Sequence, residues 1–305
     1  MGKNEGGRGP AAPGAPAPCG PVVVLVLSHR DPAQVNRLTT RLLQGPQTRV
    51  LVHHDPRGPA LRLPHHERVL TVPDAGPCDW GRPNLAMAVF AGLRSAVQQV
   101  PDLEWVLVVS GQDYPCLPMP TIEAELAASS LDATLRWFRA DADPSQDVHP
   151  WQASTRRRYL RRLRVPGSHR SMPFPRRHPF GQGTNLYVGD MWPNLRRPAV
   201  DHLLAQLESR RDLVRYFRRA PVPDEGLLPT LLLNDAQLAV GNERRRFIRW
   251  VHGEPHPKTL DLADLSDIRA SGDWFARKVD PQHSAALLDS LDSLDALQDT
   301  STTVD

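Results

Sequence analysis

Four kinds of chemistry are latent in the side chains of this 305-residue chain, and each competes with a plainer reading. The first is metal binding. His53, His54, Asp55, His65 and His66 are the imidazole and carboxylate types that hold zinc or iron. Adjacent strand residues point to opposite faces, so His53 and His54 cannot both reach one ion. His65 and His66 stand in a Pro-rich loop, where exposed histidine is ordinary. The second is Asp141-Ala142-Asp143, a D-x-D spacing that can hold Mg²⁺ or Mn²⁺ against a diphosphate, though it also opens an acidic, Pro-containing loop. The third is the basic run Thr155 to Arg164, which can contact phosphate or an acidic acceptor. Its Tyr159, Leu160 and Leu163 fall at helical spacing, which predicts a solvated basic helix with one apolar side. The fourth is dispersed. Pro223-Asp224-Glu225 puts two acids at a helix start, where acids complement the helix dipole. Arg277-Lys278 lies in Trp274 to Asp280 and is by default a surface basic pair.

The elements that carry these groups are legible in the first 115 residues. Val22 to Leu27 is a β-branched run bounded by Pro21 and Ser28, hence a buried strand. A helix follows, with Asp31 as cap, Pro32 in the first turn and Gly45 as stop. Arg49 to Val52 predicts a second strand, Leu85 to Val97 a second helix and Trp105 to Val109 a third strand. Alternating β, α, β, α, β argues for a parallel sheet with crossover helices. Ligands of such sheets bind at the carboxyl ends of the strands. Three polar segments fall there: Ser28-His29-Arg30, His53-His54-Asp55 and Ser110 to Asp113.

Further along, 140 to 185 is irregular, and Thr134 to Phe138 is strand-like before it. Pro198 to Phe217 reads as helix, Leu227 to Leu233 as a short apolar segment and Phe247 to Trp250 as a late strand. Residues 1–20 read as a disordered tail of Gly, Pro and Ala. No composition break demands two domains, so 21–282 is taken as one domain. Residues 283–305 are taken as an amphipathic C-terminal helix and tail.

Composition removes several function classes. Hydrophobic residues make 40% and charged residues 23%, enough for a core. A net charge of +3 is too balanced for a general nucleic-acid binder. Three cysteines without a CxxC pair give no disulfide framework and point to a reducing, cytoplasmic setting. The longest early apolar run is six residues, far short of the roughly 20 that span a bilayer, so any membrane association is peripheral. No GxGxxG, GxxxxGK[ST] or GxSxG is present, which withholds the phosphate cradle and the hydrolase elbow. Only Lys3, Lys258 and Lys278 are lysines.

Taken jointly, the dispersed groups resemble the core-2/I-branching enzyme family, which includes the peptide O-xylosyltransferases. The resemblance rests on motifs in family order from about 22 to 280: Ser28-His29-Arg30; His53-His54-Asp55-Pro56-Arg57; Asp79-Trp80-Gly81; Ser110-Gly111-Gln112-Asp113-Tyr114-Pro115; Gly189-Asp190-Met191-Trp192; Pro223-Asp224-Glu225; Arg246-Phe247-Ile248-Arg249-Trp250 and Phe275-Ala276-Arg277-Lys278. It implies a GT-A-like α/β glycosyltransferase fold with a Rossmann-like, mostly parallel central sheet flanked by helices. It implies inverting transfer of GlcNAc or xylose from a UDP-sugar to a hydroxyl of a glycan, polysaccharide or small molecule. Glu225 would be the general base, because a hydroxyl is a weak nucleophile until its proton is taken. Arg277 and Lys278 would meet the leaving diphosphate without metal or other cofactor. Ser28, His29, Asp55, Pro56 and Arg57 would hold uridine and ribose, with Asp113 near the donor sugar. Trp80, Trp192, Arg246 and Trp250 are further donor or acceptor candidates. Asp190 stands where Ser is usual and Met191 where the xylosyltransferases carry Asp, so the donor sugar is left open. The absence of many cysteines and of an anchor resembles a soluble, bacterial-type member. Two alternatives stay open: a metal-dependent transferase using Asp141 and Asp143, and a catalytically silent nucleotide-sugar-binding protein.

Overall fold

The computed structural model describes residues 19–143, 151–165, 168, 170–174, 177–181, 183–254 and 256–299. The tail expected over 1–20 lies outside them except for Cys19, which is buried, and Gly20, whose N–H donates to Glu104. The expected tail beyond 299 also lies outside.

Strands β1 (Val22–Ser28), β2 (Thr48–His54) and β3 (Val69–Thr71) alternate with α1 (Pro32–Leu42) and are followed by α2 (Pro83–Gln99). Then come β4 (Trp105–Ser110), β5 (Asp113–Pro115), α3 (Met119–Ala128), β6 (Ala133–Thr134) and β7 (Trp137–Arg139). The middle contains α4 (Gln152–Arg161), β8 (Arg162–Arg164), β9 (Ser171–Pro173), β10 (Tyr187–Gly189) and β11 (Asn194–Arg196). Helices α5 (Arg197–Ser209), α6 (Arg211–Phe217) and α7 (Asp224–Leu233) lead to β12 (Val240–Gly241) and β13 (Arg246–Ile248). The chain closes with α8 (Leu265–Ser271), β14 (Phe275–Arg277) and α9 (Ala285–Asp299).

Seven strands form the main sheet in the order β12-β6-β11-β4-β1-β2-β3. Pairs β1–β2, β1–β4, β2–β3 and β12–β6 are parallel, while β11 runs antiparallel to both neighbours. Successive residues of β1 point to opposite faces, and both are buried. Val23, Leu25 and Leu27 pack with α2, α5, α6 and α7, whereas Val22, Val24 and Val26 pack with α1, α3, α8 and α9. This is the expected mixed α/β architecture of a GT-A-like glycosyltransferase fold, a mostly parallel sheet with helices on both faces. Among the described residues, no helix is long and apolar enough to cross a membrane.

Local departures have physical causes. Asp31 does not cap α1: its φ is 50° and its carboxylate turns to Arg30 at 2.8 Å. The segment Thr134 to Phe138 divides between two sheets, β6 joining the main one and β7 pairing with β10. Pro198 to Phe217 breaks at Arg210, which belongs to neither α5 nor α6. The late strand begins at Arg246 and stops at Ile248. Leu163 leaves the helix for β8, so the apolar side of the basic run reduces to buried Tyr159 and half-buried Leu160.

Candidate active site

The first wall is built at the carboxyl ends of β1 and β2. Asp55 N–H donates to the Ser28 carbonyl at 2.8 Å, which closes the two strand ends together. A Cβ at Gly58 would lie 2.4 Å from the His29 carbonyl oxygen, so only glycine allows this turn to pack so closely. His54 Nε2 lies 2.8 Å from the Pro59 carbonyl and must be its donor, which leaves Nδ1 to accept from the Ser28 hydroxyl at 2.8 Å. His53 points the other way and is buried, with the Cys78 thiol at 3.7 Å.

Asp55 is buried and saturated. It accepts from Arg57 Nε at 3.1 Å, Arg57 Nη2 at 2.7 Å, Arg57 N–H at 2.9 Å and Cys78 N–H at 2.8 Å. The Arg57 fork holds its carboxyl well below the usual range. Asp55 therefore shapes the turn that presents Pro56, while Arg57, with over half its side chain exposed, faces outward and ties to Asp79 at 3.0 Å. His29 is exposed at the rim, and desolvation together with Arg30 presses its imidazole below the ordinary value.

The second wall is the small sheet β13-β14-β5. Its register sets Arg277 opposite Asp113 and Arg246 opposite Phe275. Asp113 is fully buried between two guanidiniums: Oδ1 is 2.6 Å from Arg246 Nε, and Oδ2 is 3.1 Å from Arg277 Nη1. Ser110 N–H and Oγ also donate to Oδ2, at 2.7 and 2.5 Å. Arg246 donates in addition to the carbonyls of Trp192 and Val108. Asp113 and Arg246, expected to face ligands, are thus buried and spent on ion pairs within the protein. Trp192 is half-buried, with the Arg277 guanidinium 4.6 Å over its ring. Trp250 and Trp80 are exposed, the latter edge-on to His256 at 6.0 Å.

Lys278 follows Arg277 just past the end of β14. It is half-buried and, among the described residues, its ammonium has no hydrogen bond or ion pair. Burial lowers its pKa first, and Arg277 and Arg30 lower it further. Lys258 shows the contrast, since its ammonium is fixed by Asp264 at 2.8 Å and Asp261 at 3.2 Å. A half-buried ammonium flanked by two guanidiniums is an arrangement that an anion would relieve.

The third wall is the first turn of α7. Gly226 permits it: a Cβ there would sit 2.5 Å from Phe217 Cε1 and 3.0 Å from Tyr159 Cε1. The preceding loop is pinned by Tyr159, whose hydroxyl donates to the Val222 carbonyl at 2.6 Å. Val222 holds φ at 47°, costly for a β-branched residue, so its neighbours must over-determine it. Thr230 bonds both the N–H and carbonyl of Tyr187, which locks α7 to β10 and hence to Asp190.

Glu225 is half-buried in the first turn of α7, with 40% of its side chain open. Desolvation first, then Asp224 and Asp190, raise its pKa to about 7 against the opposing pull of Arg158. Arg158 Nη1 stands 3.4 Å from Glu225 Oε2. Asp224 is buried, its Oδ1 has no hydrogen-bond partner, and burial pushes its pKa to about 6. Asp190 pairs with Arg244 at 2.8 Å and acts electrostatically on both Glu225 and Arg277. Asp190 thus links, by its field, a carboxylate poised near neutrality and a buried guanidinium.

The structure also places groups that the sequence reading passed over. Arg158 sits in the run read as a solvated helix, and only its position before buried Tyr159 hinted at an inward role. Asp141 is held by Arg139 at 3.0 Å. Among the described residues, no group of three or more His, Cys, Asp or Glu is arranged to hold a metal ion.

Comparison with known families places this geometry. No curated protein matches the chain. The family described as Core-2/I-Branching enzyme matches residues 25–270, from within β1 to within α8. That span covers most of the chain and includes every wall of the cleft except Arg277 and Lys278. The chain belongs to the Core-2/I-Branching enzyme family, a family of sugar transferases that use nucleotide-sugar donors and carbohydrate acceptors.

Proposed function

We propose that the protein is an inverting glycosyltransferase that moves GlcNAc or xylose from a UDP-sugar to a hydroxyl of a glycan, polysaccharide or small molecule. The observation that carries this reading is Glu225: a half-open carboxylate at the start of α7, its pKa raised by burial to about 7 and within the field of the same Asp190 that acts on Arg277. Such a carboxylate is half ionised at neutral pH and strong enough to take a hydroxyl proton in the transition state.

In the step, the acceptor oxygen attacks the anomeric carbon from the face opposite UDP. The bond from that carbon to the diphosphate oxygen breaks, and its electron pair leaves with UDP. The hydroxyl proton passes to Glu225 and then to solvent when the product departs. Arg277 and Lys278 meet the charge that develops on the diphosphate, with Arg30 beside them, so no metal is required. Arg277 is prealigned by Asp113 and Trp192 and does not reorganise as charge builds. Ser28, His29, Pro56 and Arg57 line the strand ends toward the uridine side.

The test is calorimetric titration of UDP, UDP-GlcNAc and UDP-xylose in EDTA, repeated with Mn²⁺ and on Lys278→Ala. Binding in EDTA that weakens strongly in Lys278→Ala is expected. Binding seen only with Mn²⁺ would move the diphosphate site to Asp141 and Asp143. Glu225→Gln is expected to leave UDP affinity within a few-fold while transfer falls by about two orders of magnitude or more. Turnover retained in that variant refutes the base assignment, and donor binding without turnover in the parent protein identifies a silent binder.

A further inference from the structure

Beside the Glu225 loop lies a cleft whose charge is uncompensated. Arg82, Arg164, Arg215, Arg218 and Arg219 line a cavity of about 900 Å³ between the start of α2, β8 and the end of α6. This is near the top of the roughly 300–1,000 Å³ range of clefts that engulf a ligand of several rings. Among the described residues, none of the five makes an ion pair or hydrogen bond through its side chain. Arg164 Nε is buried without a partner. The carboxylates nearby are already taken: Asp79 by Arg57 and Asn84, and Asp212 by Arg210. Arg37, Arg57, Arg196 and Arg249 stand against carboxylates, which these five do not.

Two of these arginines, Arg82 and Arg164, also line a small neighbouring cavity with Trp80, Pro221 and Val222. That cavity stops three residues short of Glu225. A second extension of about 490 Å³ shares Arg215 and Arg219. The three cavities share arginines, so the basic lining is continuous from the end of α6 to the Val222 loop that precedes Glu225, with the exposed Trp80 ring at that end.

We infer that this path is an acceptor groove for an anionic glycan, a sugar chain bearing carboxylate or phosphate groups, and the inference rests on the transferase reading above. Guanidinium forks match planar carboxylates and phosphates, and the half-buried Arg82 and Arg164 meet less competing water than the exposed Arg215, Arg218 and Arg219. The groove is concave, which a bilayer surface cannot follow. Its aromatic rings stand at the two ends, Trp80 at one and Phe174 and Tyr216 in the extension, and the central cavity has none, unlike the interleaved aromatics of single-strand nucleic-acid channels. Its end at Val222, on the loop that leads into α7, suits a ligand that must present a hydroxyl to Glu225.

The experiment is calorimetry of the full chain with hexagalacturonate, a glycerol phosphate oligomer and neutral maltohexaose. Single-stranded DNA and phosphatidylglycerol vesicles are included as rivals. At least about tenfold preference for an anionic oligomer over maltohexaose is expected, weakening as salt rises. Arg215→Ala with Arg219→Ala, both exposed and safe for folding, should weaken binding about tenfold or more, as should Arg82→Ala with Arg164→Ala. Arg269→Ala, on α8 at the opposite sheet face, should leave it within about twofold. UDP affinity should be unchanged in all of them. Equal binding of the neutral oligomer, equal loss in Arg269→Ala, or tighter binding of DNA or vesicles overturns the inference. Glu225→Gln separates the two readings: it leaves groove binding intact even if the base assignment fails, and groove binding can fail while transfer to a neutral acceptor survives.

Discussion

Replacing Arg158 with Met removes one guanidinium from beside Glu225 while keeping the length of the chain. The pair stands at 3.4 Å, and each side chain is 40% exposed. Opposite unit charges at that distance attract by about 5 kcal/mol at an effective dielectric of about 20, and by about 1 kcal/mol in bulk water. Two-fifths exposure of both partners favours the lower figure, because solvent and salt screen the pair. About 1.4 kcal/mol corresponds to one pH unit, so the loss of Arg158 should raise the Glu225 midpoint from about 7 to about 8. The direction is fixed, since Arg158 is the group that lowers this pKa against desolvation, Asp224 and Asp190.

Two measurements read the change. Carbon-13 spectra of labelled glutamate, with Glu225→Gln assigning the signal, give the midpoint directly. The kcat/KM of transfer gives it through the acid limb, since the base works only when ionised: the limb should move up by about one pH unit, with a drop of about tenfold at pH 6 and none above pH 9. An unchanged midpoint, or one that falls, refutes the electrostatic account. A loss of rate uniform across pH would instead make Arg158 a ligand contact.

Three further outcomes test the surroundings. Asp113→Ala leaves Arg246 and Arg277 buried without their shared carboxylate, so urea titration should show a loss of about 3–5 kcal/mol, and a smaller loss than 1 kcal/mol would contradict the clamp. Asp224 is raised from 3.8 to about 6, so it binds its proton more tightly folded than unfolded; its contribution is intact below about pH 4 and is lost as pH rises through 6. Asp224→Asn should therefore raise stability above pH 7 by up to about 3 kcal/mol and leave it unchanged at pH 3.5, and the reverse pattern in paired melts would disprove the burial argument. Burial raises the thiol pKa of all three cysteines, to about 12 for Cys19 and Cys78, so iodoacetamide at pH 8 should modify native protein far more slowly than urea-unfolded protein, as mass spectrometry would show.

What the sequence disclosed and what it hid follow one rule. Strands β1, β2 and β4 were legible because both faces are buried, which demands unbroken apolar runs such as Val22 to Leu27. The acids at 224 and 225 were legible as a helix start, and the strand-end loops as ligand-side segments. Three-residue strands carry no periodicity, so β13, β14 and β5 could not be paired from sequence, and with them went the buried Asp113 clamp. Arginine is common in this chain, so Arg158 and the five arginines of the groove were indistinguishable from solvated ones. Their meaning lies in which carboxylates stand near them, and that is set by packing between α2, α4, β8 and α6 rather than by spacing along the chain.

The candidate site is also where the fold retains most unrelieved charge. Asp113 is matched by two guanidiniums, Asp55 by one and Lys258 by two carboxylates, so these charges are compensated within the protein. Asp224 with an orphaned oxygen, Glu225 raised toward neutrality, Lys278 without an anion and the five arginines of the groove are exceptions. Each exception costs stability in the absence of ligand, and each has the sign that a transfer reaction would relieve: a carboxylate eager for a proton, cations awaiting a diphosphate and cations along the path to the base. Mutations that neutralise these groups singly should therefore stabilise the free protein while weakening what it binds, the reverse of what removal of Asp113 or Asp55 would do.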